Sequence, residues 1–263
     1  MPGIEACEAR AYRRTIELEG DEGWLGVSVT PGEVALQLEI DFPDAAVVPV
    51  IEERVRQIFD LDTETAAIHA HLRRDPLLGR LLERHPGVRV PGGWNPFEIA
   101  VRTVVGQQVS VAAATTVTGR IVEAYGRPAR GDGECLTRHF PRPEELAAAD
   151  LAPLGMPGKR AEAIRGLARA VADGQVVFDR DMPLAEFEAM MIALPGIGPW
   201  SAAYMGMRIL GEADAFPASD LGLRIALAED GSRPSAAAVA ERAEAWRPWR
   251  AYAARLLWTS LED

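Results

Sequence analysis

Leu194-Pro195-Gly196-Ile197-Gly198-Pro199-Trp200-Ser201-Ala202 decides how this chain is read. Apolar periodicity of helical type flanks the stretch on both sides. Gly196 and Gly198 allow a sharp backbone turn and leave amides uncovered by side chains. Pro199 suits the first turn of a following helix. Two helices joined by a hairpin are therefore expected here, the second presenting its N-terminus outward. Such an end carries the positive pole of the helix dipole and takes an anion, and a DNA phosphate fits. A Gly/Pro turn that merely joins two packed helices is the competing reading of a bare Pro-Gly-x-Gly. The apolar flanks and Ser201-Ala202 favour the anion-binding hairpin.

Helical patterning continues outward on both sides. Helices are expected over roughly 96–105, 109–125, 143–149, 158–173, 184–191, 199–211, 221–229, 235–245 and 248–260, separated by short Gly- and Pro-rich turns. No strand is expected in this part, and residues 127–143 form its longest irregular loop. A weaker echo of the hairpin, Leu154-Gly155-Met156-Pro157-Gly158-Lys159-Arg160-Ala161, precedes the helix at 158–173. Lys159 and Arg160 could reach a phosphate there, or simply be a solvated helix start.

Toward the N-terminus the period changes. Residues 11–18, 24–30 and 34–40 alternate apolar and polar and predict three strands, with breaks at Gly20, Gly23, Pro31 and Gly32. Short connections make the sheet antiparallel. A helix follows near Pro49, with Ile51, Val55, Ile58 and Phe59 on one stripe. Another starts after Asp62 as N-cap, and a third covers Pro76 to Arg84. A boundary is expected at His85-Pro86-Gly87-Val88-Arg89-Val90-Pro91-Gly92-Gly93. The expected fold class is α+β: a small antiparallel sheet plus helices over 1–88, then an all-α bundle over 89–263.

The 263 residues suffice for one large or two modest cores. No apolar run is long enough to span a bilayer, and the start shows no basic region followed by an apolar stretch. Cys7 and Cys135 are two thiols, too few for a disulfide framework or a four-cysteine cluster, and a reducing, cytoplasmic compartment is expected. His69, His71, His85 and His139 show no metal-ligand spacing and read as surface residues. The net charge of −11 argues against a non-specific nucleic-acid binder. Most of that excess lies in residues 1–88, with 17 acidic and 9 basic side chains, against 22 and 19 in the remainder. DNA contact would thus rest on a local surface and on backbone amides.

Asp220, 21 residues after Pro199, follows Phe216-Pro217-Ala218-Ser219. An Asp in that setting often caps a helix, here the one expected at 221–229. A carboxylate beside aromatic residues can also stabilise an oxocarbenium-like sugar and orient water. The two roles are compatible.

In order along the chain, the hairpin and Asp220 are joined by Pro96-Phe97-Glu98, Val104-Val105-Gly106-Gln107-Gln108-Val109-Ser110-Val111-Ala112, Leu154-Gly155-Met156-Pro157 and Trp246-Arg247-Pro248-Trp249-Arg250-Ala251-Tyr252-Ala253. This combination resembles the helix-hairpin-helix DNA glycosylase superfamily, and within it the 3-methyladenine DNA glycosylase II branch. The resemblance spans 96–258, and the strand region before it is similar to that branch's N-terminal domain, apparently without its first strand and helix. It implies excision of alkylated bases of the 3-methyladenine and 7-methylguanine type from double-stranded DNA by a monomer, with no required cofactor. Asp220 takes the position of the catalytic aspartate. Trp200, Tyr204 and Trp258 take positions lining the base pocket, where stacking on a flipped cationic base is the expected interaction, although each could be a core aromatic. Gln108 matches the side chain that wedges into the duplex gap, or is a solvated amide. Amides of Gly196, Gly198 and Ser201 match phosphate contacts. Carbonyls of Ile192, Leu194 and Ile197 match a monovalent-cation site. Leu221 stands where some members carry an aromatic. Strand-nicking relatives place a lysine at the Trp200 position, and the only lysine here is Lys159. Two alternatives stay open: a glycosylase for oxidised or deaminated bases, and a DNA-damage-binding module without catalysis.

Overall fold

Alternation builds the sheet. The computed structural model describes residues 1–30, 32, 35–133 and 135–262. Its first sheet runs in the order β1 (Glu5–Glu8), β2 (Ala11–Leu18), β3 (Asp21–Val29), β4 (Leu36–Asp41), every neighbouring pair antiparallel. Ile16, Leu18, Leu25 and Val27 supply its buried face. The strand expected over 24–30 begins earlier, at Asp21, and the one expected over 34–40 runs Leu36–Asp41, residues 31, 33 and 34 lying outside the described residues. The edge strand β1 was not foreseen. Its sequence, Glu-Ala-Cys-Glu, has no apolar alternation, and Glu5 is paired with Arg102 at 2.9 Å.

The helices follow in chain order: α1 (Val48–Ile58), α2 (Thr65–Leu72), α3 (Pro76–Arg84), α4 (Pro96–Val105) and α5 (Val111–Tyr125). A two-stranded ribbon, β5 (Arg127–Pro128) with β6 (Arg138–His139), then interrupts the series. It corrects the expectation of a strandless segment: Thr15 Oγ1 donates to the Arg138 carbonyl at 2.8 Å and ties the ribbon to β2. His139 is also not a surface residue but 3% exposed, its Nε2 2.9 Å from Glu22. The chain continues with α6 (Pro143–Ala147), α7 (Gly158–Ala172), α8 (Leu184–Ile192), α9 (Pro199–Met205), α10 (Leu221–Ala226), α11 (Ala236–Ala243) and α12 (Arg250–Thr259).

Side-chain caps set several helix starts. Asp75 accepts from the amides of Leu77 and Leu78 at α3, and Ser110 and Ser235 do the same for Ala113 and Ala238 at α5 and α11. Asp62 does not cap α2; it pairs with Arg56, and Glu64 takes the N-cap position without a side-chain bond. The helix expected over 199–211 changes character at Gly206, where Gly206–Leu210 forms a π-helical turn closed by Gly211 in the left-handed region. π-Turns of this kind insert an extra residue and often accompany functional sites.

Two compact units result, neither following a single break near residue 88. One comprises Met1–Val55 with Ala100–Val177, the other Arg56–Ile99 with Phe178–Asp263. In the first, Ile4, Ile16, Leu25, Ile121, Leu146 and Leu167 are all buried. In the second, α3 buries Leu78, Leu81 and Leu82 in one cluster with Leu223, Trp246, Leu256 and Leu257. Each such side chain contributes about 1.5–3 kcal/mol on burial. That cluster fixes α10 and α12, which carry the site. Among the described residues, no helix is long and apolar enough to cross a membrane.

Candidate active site

Asp220 is the N-cap of α10, and its carboxylate gathers three donors. Oδ1 accepts from the Leu223 amide at 2.9 Å and from Trp258 Nε1 at 2.8 Å. Oδ2 accepts from Trp200 Nε1 at 2.8 Å. The capping and site readings of this residue thus coincide in one geometry. Three N–H groups hold the carboxylate in one orientation. Asp220 is half-buried, so it stays within reach of a bound molecule. Oδ2 has only one donor and keeps the freer lone pair.

The aromatics are fixed by the same bonds. Trp200 and Tyr204, four apart on α9, stack with centroids 5.6 Å apart and planes 12° from parallel. Tyr204 meets Trp258 of α12 at 6.0 Å and 59°. All three are half-buried and stand beside the carboxylate, Trp258 also packing against the core cluster. Leu221, directly after Asp220, is 55% exposed.

Two residues absent from the sequence reading belong to this site. Gly222 lies under the carboxylate: a Cβ there would stand 3.0 Å from Asp220 Oδ1 and 3.1 Å from Trp258 Cδ1. Arg208, in the π-helical turn, donates to the Tyr204 hydroxyl at 2.8 Å and lies over its ring. The four-residue step from Tyr204 to Arg208 was the available signal; for Gly222 there was none, because its neighbour Trp258 is distant in sequence.

The hairpin forms as expected between α8 and α9. Gly196 has φ +88, a conformation that other residues adopt only with strain, and Gly198 is the N-cap of α9. Gly196 is exposed and Gly198 half-exposed. Ser201, predicted to contact a phosphate through its amide, is buried, 2% exposed. The carbonyls of Ile192, Leu194 and Ile197 belong to the end of α8 and the turn, where the negative pole of the α8 dipole favours a cation; that of Leu194 accepts from the Ile197 amide at 3.2 Å. Among the described residues, no cluster of His, Cys, Asp and Glu could hold a metal ion.

Gln108, Lys159 and Arg160 belong to the other compact unit. Gln108 is exposed at the turn between α4 and α5 with φ +55. Arg160 is not free to reach out: it donates to the Gln107 carbonyl and braces that turn. Lys159 is exposed in the first turn of α7.

Residues 1–95 match the family described as AlkA N-terminal domain, and residues 101–251 the HhH-GPD superfamily base excision DNA repair protein. The chain is 40% identical over 262 residues to the probable bifunctional transcriptional activator/DNA repair enzyme AlkA of Mycobacterium tuberculosis, covering 100% of this chain and 52% of that protein. It thus spans about half the length of that curated relative. It is 35% identical over 264 residues to DNA-3-methyladenine glycosylase 2 of Escherichia coli, covering 98% and 88%. The fold matches the 3-methyladenine DNA-glycosylase from Archaeoglobus fulgidus with a TM-score of 0.85 at 23% identity, covering 97% and 88%. The chain belongs to the HhH-GPD superfamily of base excision DNA repair proteins.

Proposed function

We propose that this chain is a monofunctional DNA N-glycosylase that flips alkylated bases of the 3-methyladenine and 7-methylguanine type out of duplex DNA and hydrolyses their N-glycosidic bonds. One observation carries the reading: a half-buried carboxylate, Asp220, oriented by the indole N–H groups of two aromatics that stand beside it.

In this reading the flipped base lies against Trp200, Tyr204 and Trp258, whose ring faces attract its positive charge. The C1′–N bond breaks with its electron pair going to the base. A cationic purine becomes neutral in doing so and needs no general acid. Positive charge develops on the sugar, where Oδ2 of Asp220 stabilises it through space. Water then adds to C1′ and gives up a proton, leaving an abasic site. No amine nucleophile stands in the hairpin, so the strand stays intact.

The hairpin amides of Gly196, Gly198 and Ser201 are assigned to a DNA phosphate, Lys159 to another, and Gln108 to the gap left by the flipped base. The carbonyls of Ile192, Leu194 and Ile197 would hold a structural monovalent cation, which would add positive charge at the phosphate contact. We assign no other cofactor, a monomeric state and a reducing cytoplasmic location.

The test is release of free base from methylated duplex DNA by wild type beside Asp220→Asn. Wild type should free 3-methyladenine or 7-methylguanine and leave the strand intact until alkali is added. Asp220→Asn should bind the same DNA and release base on the order of 10²-fold more slowly or less. Equal behaviour of the two proteins would instead support a damage-binding module.

A further inference from the structure

Trp200, Tyr204 and Arg208 follow one another at four-residue steps. Trp200 stacks on Tyr204, and the Arg208 guanidinium carbon lies 5.6 Å from the Tyr204 ring centroid. The guanidinium is pinned at both ends, by Nη1 to the Tyr204 hydroxyl at 2.8 Å and by Nη2 to the Gly92 carbonyl at 3.3 Å. Its Nε is buried without a hydrogen-bond partner. Arg208 lies in the π-helical turn and is half-buried against the Tyr204 ring.

A permanent positive charge therefore backs the surface against which the flipped base is proposed to lie. It has two consequences. The Tyr204 ring already interacts with one cation, so its quadrupole is partly engaged. A cationic base on that surface is also repelled by Arg208, whereas a neutral base is not. Asp220, bonded to Trp200, pulls the other way.

We propose that Arg208 is a specificity-determining residue that acts through Tyr204: it restrains the advantage of cationic alkylpurines and keeps neutral lesions, such as deaminated purines, within the substrate range. This rests on the glycosylase reading above. For charges about 10 Å apart at an effective dielectric constant of about 40, removing one charge shifts the cation-to-neutral preference about fourfold.

The experiment compares wild type, Arg208→Met and Arg208→Lys. It measures kcat/KM for 7-methylguanine release from methylated duplex and hypoxanthine release from inosine-containing duplex. Tryptophan fluorescence titrated with 7-methylguanosine, kept in its cationic form, and with inosine reads the same preference without turnover. Arg208→Met should raise the 7-methylguanine-to-hypoxanthine ratio, and the matching ratio of affinities, about fourfold. Arg208→Lys, which keeps the charge and loses the forked geometry, should stay within about twofold of wild type. An equal fall in both rates, with unchanged ratios, would show a purely structural residue and overturn the proposal. Absence of base release by wild type would overturn the glycosylase reading instead, while the nucleoside titration would still decide the role of Arg208.

Discussion

Trp258 and Asp220 stand 38 residues apart in the chain and meet at 2.8 Å, indole Nε1 to carboxylate Oδ1. Trp258→Phe removes this donor and keeps most of the ring. The carboxylate then relies on the Leu223 amide and Trp200 alone. Base release in single turnover should fall about tenfold, with a loss of about 1 kcal/mol in unfolding free energy by denaturant titration. An unchanged rate would mean that the indole does not orient Asp220.

Gly222→Ala separates activity from stability. In an exposed helix position the exchange ordinarily stabilises by about 0.5–1 kcal/mol. Here the new methyl group would press on Asp220 Oδ1 and on Trp258. The carboxylate, held by three donors, would have to give. Base release should fall by an order of magnitude or more while the melting temperature changes by no more than about 2–4 °C. Equal and parallel losses in both would contradict this.

Gln108→Gly should produce effects of opposite sign. Gln108 holds φ +55, where a side chain carries strain and glycine does not. Stability should rise by up to about 1 kcal/mol. The wedge side chain is lost at the same time, so affinity for lesion-containing duplex should fall severalfold in a fluorescence-anisotropy titration. Undiminished affinity would remove Gln108 from the DNA surface.

The Asp75 carboxyl carries an acid-dependent share of stability. Burial alone would raise its pKa, but the Trp246 indole, the amides of Leu78 and Leu77, and Arg242 outweigh burial and hold it below its ordinary 3.8. A depressed folded pKa stabilises fully above the unfolded value and is lost as pH falls through the folded value. Asp75→Asn keeps the cap and removes the titration. The stability gap between wild type and Asp75→Asn should be constant above pH of about 5 and shrink below about 4, read from denaturant midpoints. A gap that ignores pH would show that the charge plays no part.

Local patterns were legible in the sequence wherever one short segment carries the signal. The alternation of Ala11–Leu18, the glycines of the hairpin, Pro76 behind Asp75, and the Phe-Pro-Ala-Ser run before Asp220 each predict their own structure. What stayed hidden depends on distant partners. The strand Glu5–Glu8 forms although it is charged, because Arg102 pairs with Glu5. His139 is buried because Glu22 stands 2.9 Å away on another strand. Arg160 looked like a phosphate ligand from its helix start, yet it serves the Gln107 carbonyl, 53 residues earlier in the chain. The π-turn that replaces the end of the helix after Pro199 carries Arg208, whose partner Gly92 lies more than a hundred residues earlier.

The indole of Trp258 comes from α12, downstream of every other group at the carboxylate. A ribosome that has delivered the hairpin and Asp220 has therefore not yet delivered a finished site, and a product broken off before Arg250 can hold the hairpin yet lack the donor that orients the carboxylate. In the proposed reading, full competence to release a base arrives only as synthesis passes this helix, and incomplete translation products are left with a poorly oriented carboxylate.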